Sequence, residues 1–255
     1  MLKLKLVVLC MLIVFSAVDA EEITGRDIME KVNNRYTGDD QSAEMTMTLI
    51  KSSGRKRVRK VKVWQKDYGK NDKSLMRFLE PADVKGTGFL VWEHESKDDD
   101  QWLYLPALKK VRRISSKEKE KSFMGTDFSY EDLGSHDLDH YDYTLLGSET
   151  FNDQDCYVIE SVPKPENKKS YSKTISWIRK DIFIATKIEF YDKKGEFLKR
   201  LHAFNIEKID EIWTTRRMEM ENVQKKHTTV LEFENVKYNI GLKDNIFTER
   251  NLIKE

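Results

Sequence analysis

From Ala43 to Tyr238 the chain keeps returning to an apolar period of two, the spacing of a strand with one buried and one wet face. AEMTMTLI sets Met45, Met47 and Leu49 against Glu44, Thr46 and Thr48. RVRKVKVWQ sets Val61 and Val63 against Lys60, Lys62 and Trp64, with a phase slip near Arg59 that predicts a bulge. The texture recurs in SLMRFLEP, GFLVWEHE, QWLYLP, YTLLGSE, CYVIESVP, KTISWIRK, ATKIEFYD, EFLKRLHAF, IWTTRRMEME and TTVLEFENVKYN, punctuated by SSGRK, NDQD, KPENKK and DKKGE. About eleven strands joined by short turns predict an antiparallel meander, since parallel pairing would need helical crossovers. A single sheet of that width must curl, so the expected fold is mainly β, a half-open barrel whose inner face is packed or encloses something.

The chain begins MLKLKLVVLCMLIVFSAVDA, with two lysines, an apolar run from Leu6 to Val18 and small residues at Val18 and Ala20. This predicts a signal peptide over residues 1–20, cut after Ala20, and an exported domain over residues 21–255. The run is shorter than the ~20 residues that span a bilayer. Cys10 lies inside it and follows Leu9 rather than a small residue, which speaks against lipidation. Next, ITGRDIMEKVNNRY predicts one amphipathic helix, with Thr24 as N-cap, Asp27 three residues on, and Ile28, Val32 and Tyr36 on one face. Cys156 is then the only cysteine, so no disulfide within the chain holds the fold, and its place in QDCYVIESV reads as a small buried hydrophobe. Without Lys3, Lys5 and Asp19 the chain carries 43 basic and 43 acidic residues. That balance gives no bulk attraction to nucleic acid or anionic lipid.

One stretch, Leu103 to Leu133, breaks the alternation: LPALKKVRRISSKEKEKSFMGTDFSYEDL. A long excursion inside a small domain is usually functional, and this one holds a basic cluster, Lys109, Lys110, Arg112 and Arg113, followed by acids among aromatics. Asp127, Glu131 and His136 could serve acid-base chemistry, and His136, Asp137, Asp139 and His140 could meet a metal. No nucleophile elbow, phosphate loop or paired CxxC accompanies them, so neither a catalytic residue nor a metal or other cofactor is assigned. In the alternative reading the acids are structural. Arg112 or Arg113 then pairs with Asp127 or Asp132 and latches the excursion onto the sheet. Trp64, Met76, Phe78, Phe89, Trp92, Trp102, Tyr104, Phe123, Met124, Phe128 and Tyr130 supply apolar wall, as core or as the lining of a lipid cavity under a lid.

With the leader, the first helix and the meander in place, GTGFLVWEHE, QWLYLPALKKVRRI and SFMGTDFSYEDL resemble the LolA-like outer-membrane lipoprotein-sorting family, in its exporter-associated branch. The resemblance runs over most of the chain after the leader and is most specific from Trp102 to Leu133. It implies a periplasmic carrier: a half-open barrel of about eleven strands whose apolar concave face, capped by helices, takes the acyl chains of a lipoprotein or other lipid. An inner-membrane exporter as donor and an outer-membrane acceptor would be its partners, with no nucleic acid. It also implies an arginine holding the lid through backbone carbonyls, for which Arg112 and Arg113 are the candidates. Two rivals stand beside it, an envelope lipid hydrolase using the 127–140 segment and a ligand-free accessory subunit of a membrane lipid exporter.

Overall fold

A computed structural model describes residues 22–95, 97–167 and 169–254. The signal peptide expected over residues 1–20 lies outside them. The thirteen strands among the described residues join one antiparallel sheet, in the order β6-β5-β4-β3-β2-β1-β13-β12-β11-β10-β9-β8-β7, which curls but does not close into a barrel. In the first half run β1 (Asp40–Ile50), β2 (Lys56–Lys66), β3 (Lys73–Glu80), β4 (Gly88–Trp92), β5 (Asp100–Leu105) and β6 (Lys110–Arg113). The second half holds β7 (Tyr141–Phe151), β8 (Gln154–Pro163), β9 (Lys173–Arg179), β10 (Ala185–Tyr191), β11 (Phe197–Ile209), β12 (Ile212–Asn222) and β13 (His227–Tyr238). Thirteen strands stand where about eleven are expected, and the one that lies outside the alternating segments is β6, four residues with a single apolar side chain. Its hairpin with β5 moves the start of the excursion from Leu103 to Ile114.

The meander has a geometric consequence. Successive connections fall alternately on two rims of the sheet, one carrying the β1–β2, β3–β4, β5–β6, β8–β9, β10–β11 and β12–β13 links and the other carrying the remaining five. Chain from β6 to β7 must therefore travel from one sheet edge and one rim to the opposite edge and the opposite rim. Residues 114–140 do so across the concave face, which makes the excursion a strap over the open barrel. The slip near Arg59 is real, a register shift between Lys60 and Val61 where β2 pairs with β3.

Helix α1 (Gly25–Asn33) opens with a capping box between Thr24 and Asp27, satisfying backbone donors that a helix start leaves free. It seats against β7 at Gly25, where an added Cβ would meet Thr144 and Leu145 backbone atoms at 3.0–3.1 Å. Ile28 is fully buried against Ile159 and Ile178. Tyr36, expected on the same face, lies beyond the helix and is exposed, because the asparagines at 33 and 34 end it. A short helix α2 (Glu249–Leu252) covers the convex face of the first half, and Cys156 is buried on β8 beside Val158 and Trp177.

Candidate functional site

The strap folds on itself first. Thr126 donates its backbone N–H to the Phe123 carbonyl (2.9 Å) and Phe123 to the Phe128 carbonyl (2.8 Å), forming a tight hairpin. Met124 and Gly125 at its tip both have positive φ, 49° and 77°, which is why glycine follows methionine there. The turn presents Phe123, Phe128 and Tyr130 to the sheet together. Phe123 packs with tilted rings against Phe89 at 4.9 Å and Phe78 at 6.1 Å, with Tyr130 edge-on to it at 5.6 Å. With Met45, Met47 and Val61 below, this half of the concave face is solid.

Polar bonds then fasten the hairpin. The Asp127 carboxylate accepts from Thr229 Oγ1 (2.7 Å) and meets His227 Nδ1 at 2.6 Å, both on β13. Lys199, on β11 and almost wholly buried, donates to the Asp127 carbonyl (2.9 Å) and pairs with Asp132 at 2.5 Å. The Tyr171 hydroxyl donates to the other Asp132 oxygen at 2.7 Å, and burial beside that carboxylate pushes the phenol up, so it stays a donor. Arg59, buried on β2, donates to the Met124 carbonyl at 2.8 Å. Glu131 accepts from Ser170 in the β8–β9 link (3.0 Å to its backbone N–H), and Gln101 donates to the Tyr130 carbonyl (2.9 Å).

Beyond the hairpin the strap only roofs the sheet. Between its 128–141 leg, α1 and the inner face of β8–β12 lies a cavity of about 330 Å³. Met29, Val32, Phe128, Ile188, Leu201 and Met220 give it an apolar lining, with Lys169 and Lys173 among the few charges. That volume is at the low end of the ~300–1,000 Å³ of ligand pockets. His136 stands in the wall, stacked on Tyr141 at 4.3 Å and within 3.0 Å of the Tyr143 hydroxyl. The side chain is exposed, yet the protein around it and nearby Lys169 push its pKa down, to about 4, so the imidazole is neutral at pH 7.

The expected site residues thus separate into three groups. Met76, Phe78, Phe89, Phe123, Met124, Phe128 and Tyr130 do meet on the concave face, but of these only Phe128 borders the cavity. Trp64, Trp92, Trp102 and Tyr104 point the other way, packing with Phe247 and Leu252 under the C-terminal segment. Period-two parity explains the split, since Phe89 and Val91 face in where Leu90 and Trp92 face out. Asp127 and Asp132 do anchor the strap, but not to the expected arginines. Arg112 and Arg113 sit on edge strand β6, paired with Glu118 and Asp100. Lys199 and His227, from strands far away in sequence, pair with these carboxylates instead, while Arg59 holds the Met124 carbonyl. Among the described residues no three His, Cys, Asp or Glu side chains are grouped to hold a metal ion, and no helix is long and apolar enough to cross a membrane.

Comparison with known proteins fits this geometry. A family model described as that of an uncharacterized protein matches residues 70–254. A DUF1329 family protein from Desulfovibrio piger is 38% identical, with a TM-score of 0.86 over 89% of this chain and 97% of the other. An outer-membrane lipoprotein-sorting protein domain from Vibrio parahaemolyticus is also 38% identical, with a TM-score of 0.85 over 90% and 98%. A LolA superfamily protein from Nitrosomonas europaea shares the fold at 23% identity and a TM-score of 0.70, over 90% and 99%. No curated protein sequence matches the chain. With the strapped half-barrel described and these relatives covering nearly all of it, the chain belongs to the LolA-like outer-membrane lipoprotein-sorting family.

Proposed function

We propose that the protein is a periplasmic carrier that holds an acyl chain of a lipoprotein or other lipid in the cavity under the strap and passes it towards the outer membrane. The observation that carries this reading is an apolar cavity inside an otherwise well-filled sheet, roofed by a leg fixed through polar bonds at discrete points. At ~0.8 kcal/mol per methylene, burying about ten methylenes supplies ~8 kcal/mol before the cost of immobilising the chain. No covalent step is needed. Release requires a second state with a poorer fit, and a strap tied to β11 and β13 by a few buried ionic groups gives a two-state element whose opening would provide it. An inner-membrane exporter would load the carrier and an outer-membrane acceptor would unload it.

Hydrolysis is the weaker reading for a structural reason. Asp127, Asp132 and Glu131 spend their oxygens on the strap's own bonds, and His136 is stacked between aromatic neighbours with no serine, threonine or cysteine among its hydrogen-bond partners. Purified protein without its leader, extracted and analysed by mass spectrometry, should yield bound lipid, and delipidated protein should take up a fluorescent fatty acid. Absence of both would end the carrier reading. Turnover of a lipid ester that disappears on Asp127→Asn would replace it with the enzyme.

A further inference from the structure

The balanced charge of the chain conceals a segregation that the meander imposes. At the rim carrying the β1–β2, β3–β4, β5–β6, β8–β9, β10–β11 and β12–β13 links, the linking residues 51–55, 81–87, 106–109, 164–172, 192–196 and 223–226 include 11 Lys or Arg and 4 Asp or Glu. At the opposite rim, linking residues 67–72, 93–99, 152–153, 180–184 and 210–211 include 3 Lys or Arg and 10 Asp or Glu. One end of the half-barrel is therefore basic and the other acidic, because no link of the first rim is net acidic and no link of the second is net basic.

We infer that the basic rim is a docking surface for an anionic phospholipid bilayer. Among the described residues in its links, Lys193 is the only cation held in an ion pair, with Glu120; Lys51, Arg55, Lys109, Lys194, Lys225 and Lys226 are exposed and unpaired. Exposed apolar side chains stand among them: Leu108, 61% accessible at the β5–β6 turn, with Leu79, Val58 and Val162 at strand ends on the same rim. Cations interleaved with protruding apolar groups suit an interface of anionic headgroups over acyl chains. Flexible lysines spread over several turns, with few arginine forks, match laterally mobile headgroups better than the fixed carboxylates of a protein partner. The acidic rim is repelled by the same surface, so the molecule would stand on end. Tyr141, Pro163, Lys169 and Lys173, which line the apolar cavity, belong to the basic rim or its strand ends, so docking would bring the cavity towards the bilayer. The inference stands on charge and exposure and does not require the cavity to bind lipid.

Flotation of the full chain without its leader, on vesicles of phosphatidylcholine alone or mixed with phosphatidylglycerol, tests it. Binding should need phosphatidylglycerol and vanish at high salt. Replacing Lys51, Arg55, Lys225 and Lys226 together by Gln should lower partitioning on the order of a hundredfold. Replacing Lys70, Lys97, Lys180 and Lys208 by Gln removes the same net charge from the acidic end and should leave binding intact. Ile188→Trp, which fills the cavity, should also bind vesicles normally, so failure of the carrier reading and failure of rim docking give different results. Equal binding to neutral vesicles, no binding to anionic ones, equal effects of the two fourfold variants, or loss on Ile188→Trp would each overturn the inference.

Discussion

The two halves of the concave face are built from the same kind of strand and covered by the same strap, yet one is solid and the other is partly empty. Over β1–β5 the hairpin at Phe123–Phe128 inserts aromatic rings between sheet side chains. Over β8–β12 the strap and α1 rest on the rim of a hollow of about 330 Å³. The first half therefore carries stability, and the second leaves room for the proposed ligand. The polar cluster of Asp127, Asp132, Lys199 and His227 stands between them, the place where movement of the roof would leave the core intact.

Breaking the solid half should cost most. Phe123→Ala empties a site among Phe78, Phe89 and Tyr130 and should lower stability by about 3–5 kcal/mol in urea denaturation. At the junction, Asp132→Ala strands the buried Lys199 ammonium and should cost on the order of 3 kcal/mol. An apolar replacement of both partners should recover much of that, because no buried charge is then left unpaired. In the hollow half the pattern should reverse: Ile188→Trp should change stability by about 1 kcal/mol or less while abolishing fatty-acid uptake.

Acidity should act on the hollow half as well. His136 has a folded-state pKa of about 4, below its ordinary value of 6.5, so the unfolded chain binds more protons between those values. Its contribution is complete above pH 6.5 and declines as pH falls towards 4, and His136→Gln should flatten that part of the stability profile. The smallest effect belongs to the sheet edge, where Arg112→Gln breaks a half-exposed pair with Glu118 and should stay within about 0.5 kcal/mol.

The architecture was legible in the sequence because alternation, turn residues and one cap are local signals, and they predicted the meander, α1 and the strap. What alternation could not supply was its phase across a curled sheet: Trp64, Trp92, Trp102 and Tyr104 are as apolar as Phe78 and Phe89 but lie on the other side. A residue-by-residue parity count outward from Phe89 would have separated them. The latch was half legible, since Asp127 and Asp132 were expected to anchor the strap. Their partners were not, because Lys199 and His227 come from β11 and β13, brought under the strap only by sheet order. A cavity under the strap is an expectation of the sequence but its lining is not legible there: of the eleven candidates only Phe128 borders it, because the hollow is a shortage of side chain between elements that each look well packed. Charge segregation was present in the turns but invisible to a sum over the chain.

The most direct test of the central claim, that the hollow half is where an acyl chain lies, is photocrosslinking with a fatty acid carrying a diazirine near its methyl end, followed by peptide mapping. Adducts should fall on Met29, Ile188, Leu201 or Met220, and Ile188→Trp should remove them. Adducts on Trp64, Trp92 or Trp102 of the convex face, or adducts unchanged by Ile188→Trp, would contradict it.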